Sequence, residues 1–306
     1  MSYHRGVLER EVVAALVRDA DAAYLDATLG GGTHAAAVLE RLGPNGRLIG
    51  LDRDPEAIAH CRARFAAEPR VHVHQAPFSR LGEFCAPASL AGALFDLGVS
   101  SHQIDAAERG FSFAPGTPLD MRMGPDAEQS ALDWLRSASE AEMAACFRKH
   151  SDLERAYALA RRVREILSQQ PQPTSDALRQ AVADVYGSHE AERARTLARV
   201  FQAVRMQINR ELPEIRAGLS AAVEALARGG RLCVLSYHSV EDREVKETLR
   251  AFEQDCHCPP EWPVCQCGGG HRKLRKAVRR PVEPGPEETA SNPRARSAKL
   301  RVMERV

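Results

Sequence analysis

The sequence predicts an α/β protein whose parallel sheet is interrupted by a wholly helical insertion. Three observations predict it. Short β-like runs alternate with helical stretches over the first hundred or so residues. About ninety residues with helical periodicity and no strand pattern follow a Gly- and Pro-rich loop at Gly110 to Pro125. The αβ rhythm then returns around the turn Arg228-Gly229-Gly230.

The expected strands of the first segment are Ala23 to Ala27, Arg47 to Leu51, Val71 to Gln75 and Gly92 to Leu97. Between them, Thr33 to Leu42 and Pro55 to Ala66 carry apolar residues at helical spacing. Asp54 is placed to cap the second helix, with Pro55 at its first position. In the middle segment, Leu153, Ala156, Ala160, Val163 and Leu167 fall on one helical face, as do Leu197, Val200, Phe201, Val204 and Ile208. A helix over Ile215 to Ala227 and an apolar strand over Arg231 to Leu235 resume the sheet. The expected domains are therefore 1–103, an insertion over 104–211, and 212–306, so that the sheet domain is discontinuous in sequence.

A chain of 306 residues with 44% hydrophobic content can bury a full core. It has no run of about 18 apolar residues, and Met1 to Arg5 lacks a charged-then-apolar leader pattern, so a soluble cytoplasmic protein with no membrane partner is expected. Cys61, Cys85, Cys146 and Cys233 stand singly in apolar or helical surroundings and should pack as reduced small hydrophobes. The net charge of +1 conceals a segregation. Residues 104–146 hold three arginines against eight carboxylates, 148–210 twelve basic against seven acidic, and 268–306 eleven against four. The two basic segments could meet a polyanion, although solvated helix faces are often this rich in Arg and Glu.

Asp26-Ala-Thr-Leu-Gly-Gly-Gly-Thr-His34 leaves the first strand and opens the first helix, where glycines allow a tight turn and close backbone approach to a ligand. Asp52 ends the second strand about twenty residues on, where a carboxylate can accept hydrogen bonds from ribose hydroxyls. A nucleotide-type cofactor fits both features. Gly30-x-Gly32-x-x-Ala35 also fits the dinucleotide fingerprint, so a nicotinamide enzyme stands as an alternative on these local grounds.

Asp26 to His34, Gly50-Leu-Asp-Arg-Asp-Pro55, Asp96-Leu-Gly-Val-Ser-Ser101 and Arg109-Gly-Phe-Ser-Phe113 resemble successive motifs of the RsmH (MraW) family. So do Pro118 to Met123, Gly229 to Leu232 with Ser236-Tyr-His-Ser-Val-Glu-Asp-Arg243, and Asn292 to Arg301, which together span nearly the whole chain. The resemblance implies a class I (Rossmann-like) S-adenosylmethionine-dependent methyltransferase with an inserted all-helical domain for RNA recognition. It also implies a reaction, methylation of the exocyclic N4 of one cytidine in the decoding region of 16S rRNA, with the small ribosomal subunit as partner.

Carried over by position, the family's cofactor contacts fall on Gly32, Thr33, His34, Asp52, Phe78, Asp96 and Gln103. Asp96 suits the cationic methionine amine, Phe78 the flat adenine, and helix-terminal amides the methionine carboxylate. The sequence departs from the family at Thr33, at His102 and over His150 to Leu153. Thr33 has a β-carbon that disfavours a positive φ, and His102 reads best as a loop residue.

The cytosine amine donates its lone pair into the ring, so acceptors for its protons are needed to turn that pair toward the methyl. Ser100 and Ser101, with the carbonyls around them, are the candidate acceptors. Tyr237 and His238 end a later strand and could stack on or orient a flipped base, packing being the alternative for each. Arg294, Arg296, Lys299 and Arg301 place four basic side chains within eight residues of an emerging strand. They could face RNA phosphates or guard a sheet edge. A non-enzymatic ribosome-assembly factor and a methyltransferase acting on a small molecule or protein are the remaining alternatives.

Cys256, Cys258, Cys265 and Cys267, with His257 and His271 nearby, have metal-like pairing. The pairs are Cys-x-Cys, narrower than structural zinc usually takes. A reduced Pro- and Gly-rich loop is accordingly preferred to a zinc site.

Overall fold

The computed structural model describes residues 6–187, 189–256, 258–259 and 262–306. They form two compact units, one comprising residues up to Gly98 and from Leu212 onward, the other Val99–Glu211. The first division thus falls at Gly98, five residues before the expected one. Val99 packs on the helical cluster, and Ser100 caps that unit's first helix.

The sheet unit opens with α1 (Glu9–Leu16), then β1 (Ala23–Asp26), α2 (Thr33–Leu39), β2 (Arg47–Asp52), α3 (Pro55–Arg64), β3 (Val71–Gln75) and β4 (Leu90–Asp96). Asp54 caps α3 as its sequence suggests, its side chain accepting from the Glu56 N–H at 3.0 Å with Pro55 in the first turn.

The helical unit contains α4 (Ser101–Asp105), α5 (Ala131–Ser137), α6 (Glu140–Ser151), α7 (Ala156–Gln169), α8 (Ser175–Tyr186) and α9 (Glu190–Ile208), and no strand among its described residues. Ser130 and Ser139 start α5 and α6 with reciprocal capping boxes. The two apolar faces read from the sequence are all buried, and they meet in one cluster with Phe147, Leu159 and Leu178. Asn209 ties the Gly/Pro loop to the end of α9. It accepts from Met123 N–H and donates to Met121 O, both at 2.8 Å, which holds Met121 at a φ of 62°. At the departure over His150 to Leu153, Asp152 ends α6 in the left-handed region, and Arg199 donates to the carbonyls of Ser151 and Asp152.

The chain returns through α10 (Glu211–Ala225), β5 (Leu226–Ser236), α11 (Ser239–Glu253), β6 (Leu274–Lys276), α12 (Pro286–Ser291) and β7 (Lys299–Arg305). Strand order is β3-β2-β1-β4-β5-β7-β6. β1 to β5 pair in parallel, and β7 runs antiparallel between β5 and β6. The expected turn at Gly229-Gly230 lies inside β5 as a bulge. Leu90 and Gly92 of β4 face Leu226 and Arg231, and Gly229 takes a φ of 83°. Reading β7 as an edge strand is corrected, because the three-residue β6 covers it and Glu304 is held by Arg231 and Arg275. A one-sided pattern could not reveal so short a neighbour. The sheet core joins α1 and α2 to Tyr24, Leu48, Leu94, Cys233, Leu235 and Leu300. The four scattered cysteines are buried free thiols, and no described helix is long and apolar enough to cross a membrane.

Candidate cofactor site

In a sheet of this order the chain reverses direction of winding at β1, so the carboxyl ends of β1 and β4 flank a crevice. Three carboxylates converge there. Asp26, Asp52 and Asp96 end β1, β2 and β4. Asp26 is pushed up to about 7, first by burial and further by Asp96 and Asp52, with His34 working against the rise. Asp52 is pushed up to about 6 by burial, against the N–H bonds it accepts from Asp54 and Gly30. Asp96 is also raised by burial.

The glycine loop is shaped around these acids. Gly30 and Gly32 hold φ angles of 48° and 72°, while Thr33 sits at the first helical position of α2, so the threonine departure costs no positive φ. Gly30 N–H donates to Asp52 Oδ2 and Asp54 N–H to Asp52 Oδ1, both at 2.8 Å. This aims the carboxylate and leaves each oxygen acceptor capacity for a diol. A Cβ on Gly32 would lie 2.8 Å from the Phe65 ring, so glycine lets α3 close on the loop. Asp96 N–H donates to Thr28 Oγ1 at 2.6 Å, which locks the end of β4 to the loop.

His34 is 5% exposed, with Nε2 donating to Val7 O at 3.0 Å and Nδ1 3.5 Å from Asp96 Oδ2. Its side chain therefore links Asp96 to the segment before α1. Tyr237 donates its hydroxyl to Asp96 Oδ1 at 2.6 Å, and burial with this carboxylate raises the phenol well above its ordinary value. The hydroxyl thus positions Asp96. Phe78 begins a short 3₁₀ turn after β3 and meets Phe95 edge-on at 5.5 Å. Gly218 of α10 lies so close that a Cβ there would be 2.4 Å from the Phe78 ring.

His238 caps α11, its Nδ1 accepting from Glu241 N–H at 3.3 Å and its Nε2 2.9 Å from Glu241 Oε1. Nδ1 is engaged by the helix start, and Nε2 lies against the Glu241 carboxylate. Glu241 is fully buried and also accepts from Tyr237 N–H at 3.0 Å. Sequence reasoning missed it, as it missed Asp26. The signal for Glu241 was its place three residues after the cap, the spacing of a capping box. Ser100, Ser101 and Gln103 belong to the helical unit. Ser100 Oγ accepts from Gln103 N–H at 3.2 Å and Gln103 Oε1 from Ser100 N–H at 3.0 Å, so both side chains build the start of α4.

Of the basic quartet, Arg301 forms a two-pronged pair with Asp242 at 2.8 and 3.0 Å, and Lys299 Nζ lies 3.9 Å from the same carboxylate. Arg301 therefore ties β7 to α11. The pairing of strand and helix was not visible in one dimension. Arg294 and Arg296 are exposed on the 3₁₀ turn before β7. The cysteine cluster lies elsewhere, in the segment between α11 and β6, and His257 lies outside the described residues.

A switch-point crevice, a glycine loop and strand-end acids in this order fit the class I (Rossmann-like) fold of S-adenosylmethionine-dependent methyltransferases. The chain belongs to the MraW methylase family, whose model matches residues 1–306. It is 46% identical over 303 residues to a protein of Rubrobacter xylanophilus named ribosomal RNA small subunit methyltransferase H, covering 98% of this chain and 95% of that one. A protein of the same name from Trichlorobacter lovleyi is 42% identical, with coverage of 99% and 98%. Among solved structures, a putative rRNA methylase from Clostridium thermocellum matches with a TM-score of 0.45 at 13% identity, covering 100% of this chain and 98% of that one. Family membership removes the nicotinamide alternative.

Proposed function

We propose that this protein transfers the methyl group of S-adenosyl-L-methionine to the exocyclic N4 of a cytidine in 16S rRNA of the small ribosomal subunit, in the cytoplasm. The observation that carries the reading is the convergence of Asp26, Asp52 and Asp96 at the switch point, each held above the ordinary carboxylate range by burial. Such a site is matched to a ligand bearing two cationic centres, the sulfonium and the amine, together with a ribose diol. Asp52 takes the ribose hydroxyls, Asp96 the amine, Phe78 the adenine face, and the Gly32-Thr33 backbone the methionine carboxylate.

For the acceptor, the sulfonium methyl is already electrophilic, so the enzyme's task is the nitrogen. Acceptors at Ser100, Ser101 and the neighbouring carbonyls hold the amine protons, pull the lone pair out of conjugation and stabilise the charge that develops as the N–C bond forms. The C–S bond breaks with its electrons going to sulfur, and the nitrogen loses a proton afterwards.

The helical unit supplies the RNA surface in this reading. A groove of about 440 Å³ there is lined by Arg148, Arg155, Arg161 and Arg162 together with Glu154, Glu165 and Asp184, with Tyr157 54% exposed beside them, so that cations in slight excess meet a stacking ring. Arg162 is partly neutralised by Glu165 and Asp184. The test is incubation with methyl-labelled cofactor and small subunits from a strain lacking the corresponding enzyme, followed by mapping of the labelled nucleotide. Label on one cytidine N4 is expected. Transfer to protein or free nucleoside overturns the substrate, and cofactor binding without transfer leaves an assembly factor.

A further inference from the structure

The segment joining α11 to β6 brings its four cysteines to one point. The sulfurs of Cys256, Cys258, Cys265 and Cys267 all lie within 4.8 Å of one another, with Cys256–Cys265, Cys265–Cys267 and Cys267–Cys256 separations of 3.4, 3.5 and 3.6 Å. A tetrahedral ion bound through sulfur at about 2.3 Å needs S···S edges of about 3.8 Å. The narrow Cys-x-Cys spacing does not prevent this. Both sulfurs of each pair already lie in the one cluster.

The backbone around the sulfurs is arranged for thiolates. Cys258 Sγ accepts from the N–H groups of Gln266 and Cys267 at 3.2 and 3.3 Å, and Cys256 Sγ from Cys258 N–H at 3.4 Å. Donors aimed at sulfur stabilise negative charge on it. After the second pair, Gly268, Gly269 and Gly270 all take positive φ, a run that favours glycine, and the chain closes back on the end of α11 through Gly270 N–H to Asp255 Oδ1 and Lys273 N–H to Phe252 O.

The segment has no core of its own. None of its described residues from Gln254 to Lys273 is buried, and Trp262 and Val264 are 46% and 71% exposed. A connection this long, whose described residues carry no secondary structure or buried apolar surface, needs another source of order.

We propose that Cys256, Cys258, Cys265 and Cys267 hold one structural zinc ion as a tetrathiolate that fixes the connection between α11 and β6. Four protein ligands close the coordination sphere and leave no position for water, so the site is structural. Binding involves no electron transfer. Four Zn–S bonds form as each thiol gives up its proton to solvent, and the resulting pair of net negative charges is followed directly in the chain by Arg272, Lys273, Arg275 and Lys276. A thiolate-only set selects a soft or borderline cation over magnesium or calcium.

The experiment is metal analysis of the full chain purified without a histidine tag, beside the double variant Cys258→Ser with Cys265→Ser. One zinc per wild-type chain and none in the variant is expected. Cobalt exchanged into the wild type should give the visible d–d bands of a tetrahedral tetrathiolate. Limited proteolysis of the variant should cut within 254–273, while its S-adenosylmethionine affinity stays within a factor of about two of wild type. Zinc content no higher than that of the variant overturns the proposal, as does a wild-type mass showing two disulfides. Bound iron in place of zinc overturns the identity of the ion. If the variant fails to fold, wild-type stoichiometry and the cobalt spectrum still decide.

Discussion

Asp52 and Asp242 both sit where the sheet unit meets its helices, and their surroundings differ in kind. Asp52 is held by two backbone N–H groups, and burial lifts it to about 6. Burial acts on Asp242 in the same direction, but the two-pronged bond from Arg301, aided by Lys299, outweighs it and holds the carboxyl below its usual range. The difference separates two uses of a carboxylate. One paired with a cation inside the fold stabilises the fold, whereas one held only by backbone N–H groups and raised by burial is set to receive charge from outside.

The largest effect should come from Asp52→Ala. The ribose would lose a charged acceptor, so S-adenosylmethionine affinity should fall about 10- to 100-fold, equivalent to ~1.5–3 kcal/mol, with the melting temperature of the free protein not lowered. Titration calorimetry beside a thermal melt tests this, and wild-type affinity would place the ribose elsewhere.

Arg301→Ala should do the reverse. Asp242 would be left partly buried without its partner, costing about 1–3 kcal/mol of stability while cofactor affinity holds. Denaturant melts measure it. Full stability with a raised KM for ribosomal subunits would return Arg301 to the RNA surface.

The pH dependence sharpens the contrast. Asp26 and Asp52 titrate near 7 and 6 when folded against 3.8 unfolded. Below these folded values the native state holds protons that the unfolded chain has released, and the stability this gives is lost as pH rises through about 6 to 7. The cationic cofactor binds the ionised acids, so its stabilising effect should run the other way. The rise in melting temperature on adding saturating S-adenosylmethionine should be larger at about pH 8 than at about pH 5. An equal rise at both values would remove the acids from the binding energetics.

The smallest effect is expected from Arg294→Ala with Arg296→Ala. These exposed side chains should contribute only counterion release, so the KM for small subunits should rise a few-fold and its salt dependence should flatten, with folding and cofactor binding intact. Methyl-transfer titrations at several potassium concentrations would show it, and an unchanged salt slope would leave them as solvated surface.

What the sequence determined by itself is whatever depends on near neighbours in the chain. The order of strands and helices, the Asp54 cap, the buried stripes of α7 and α9 and the glycine loop with Asp52 follow from periods of two or 3.6 residues and from backbone freedom at Gly30 and Gly32. The tertiary structure decided everything that pairs distant residues. It put β7 inside the sheet, gave Arg301 to Asp242, turned His34 and Tyr237 into supports for Asp96, buried Glu241 beneath His238, and gathered at one point four thiols whose pairs read as narrower than structural zinc usually takes. The physical reason is that a side chain's charge state and partner are set by what the fold brings within hydrogen-bond reach. A linear pattern fixes which face a residue is on, and leaves open which other face it will meet.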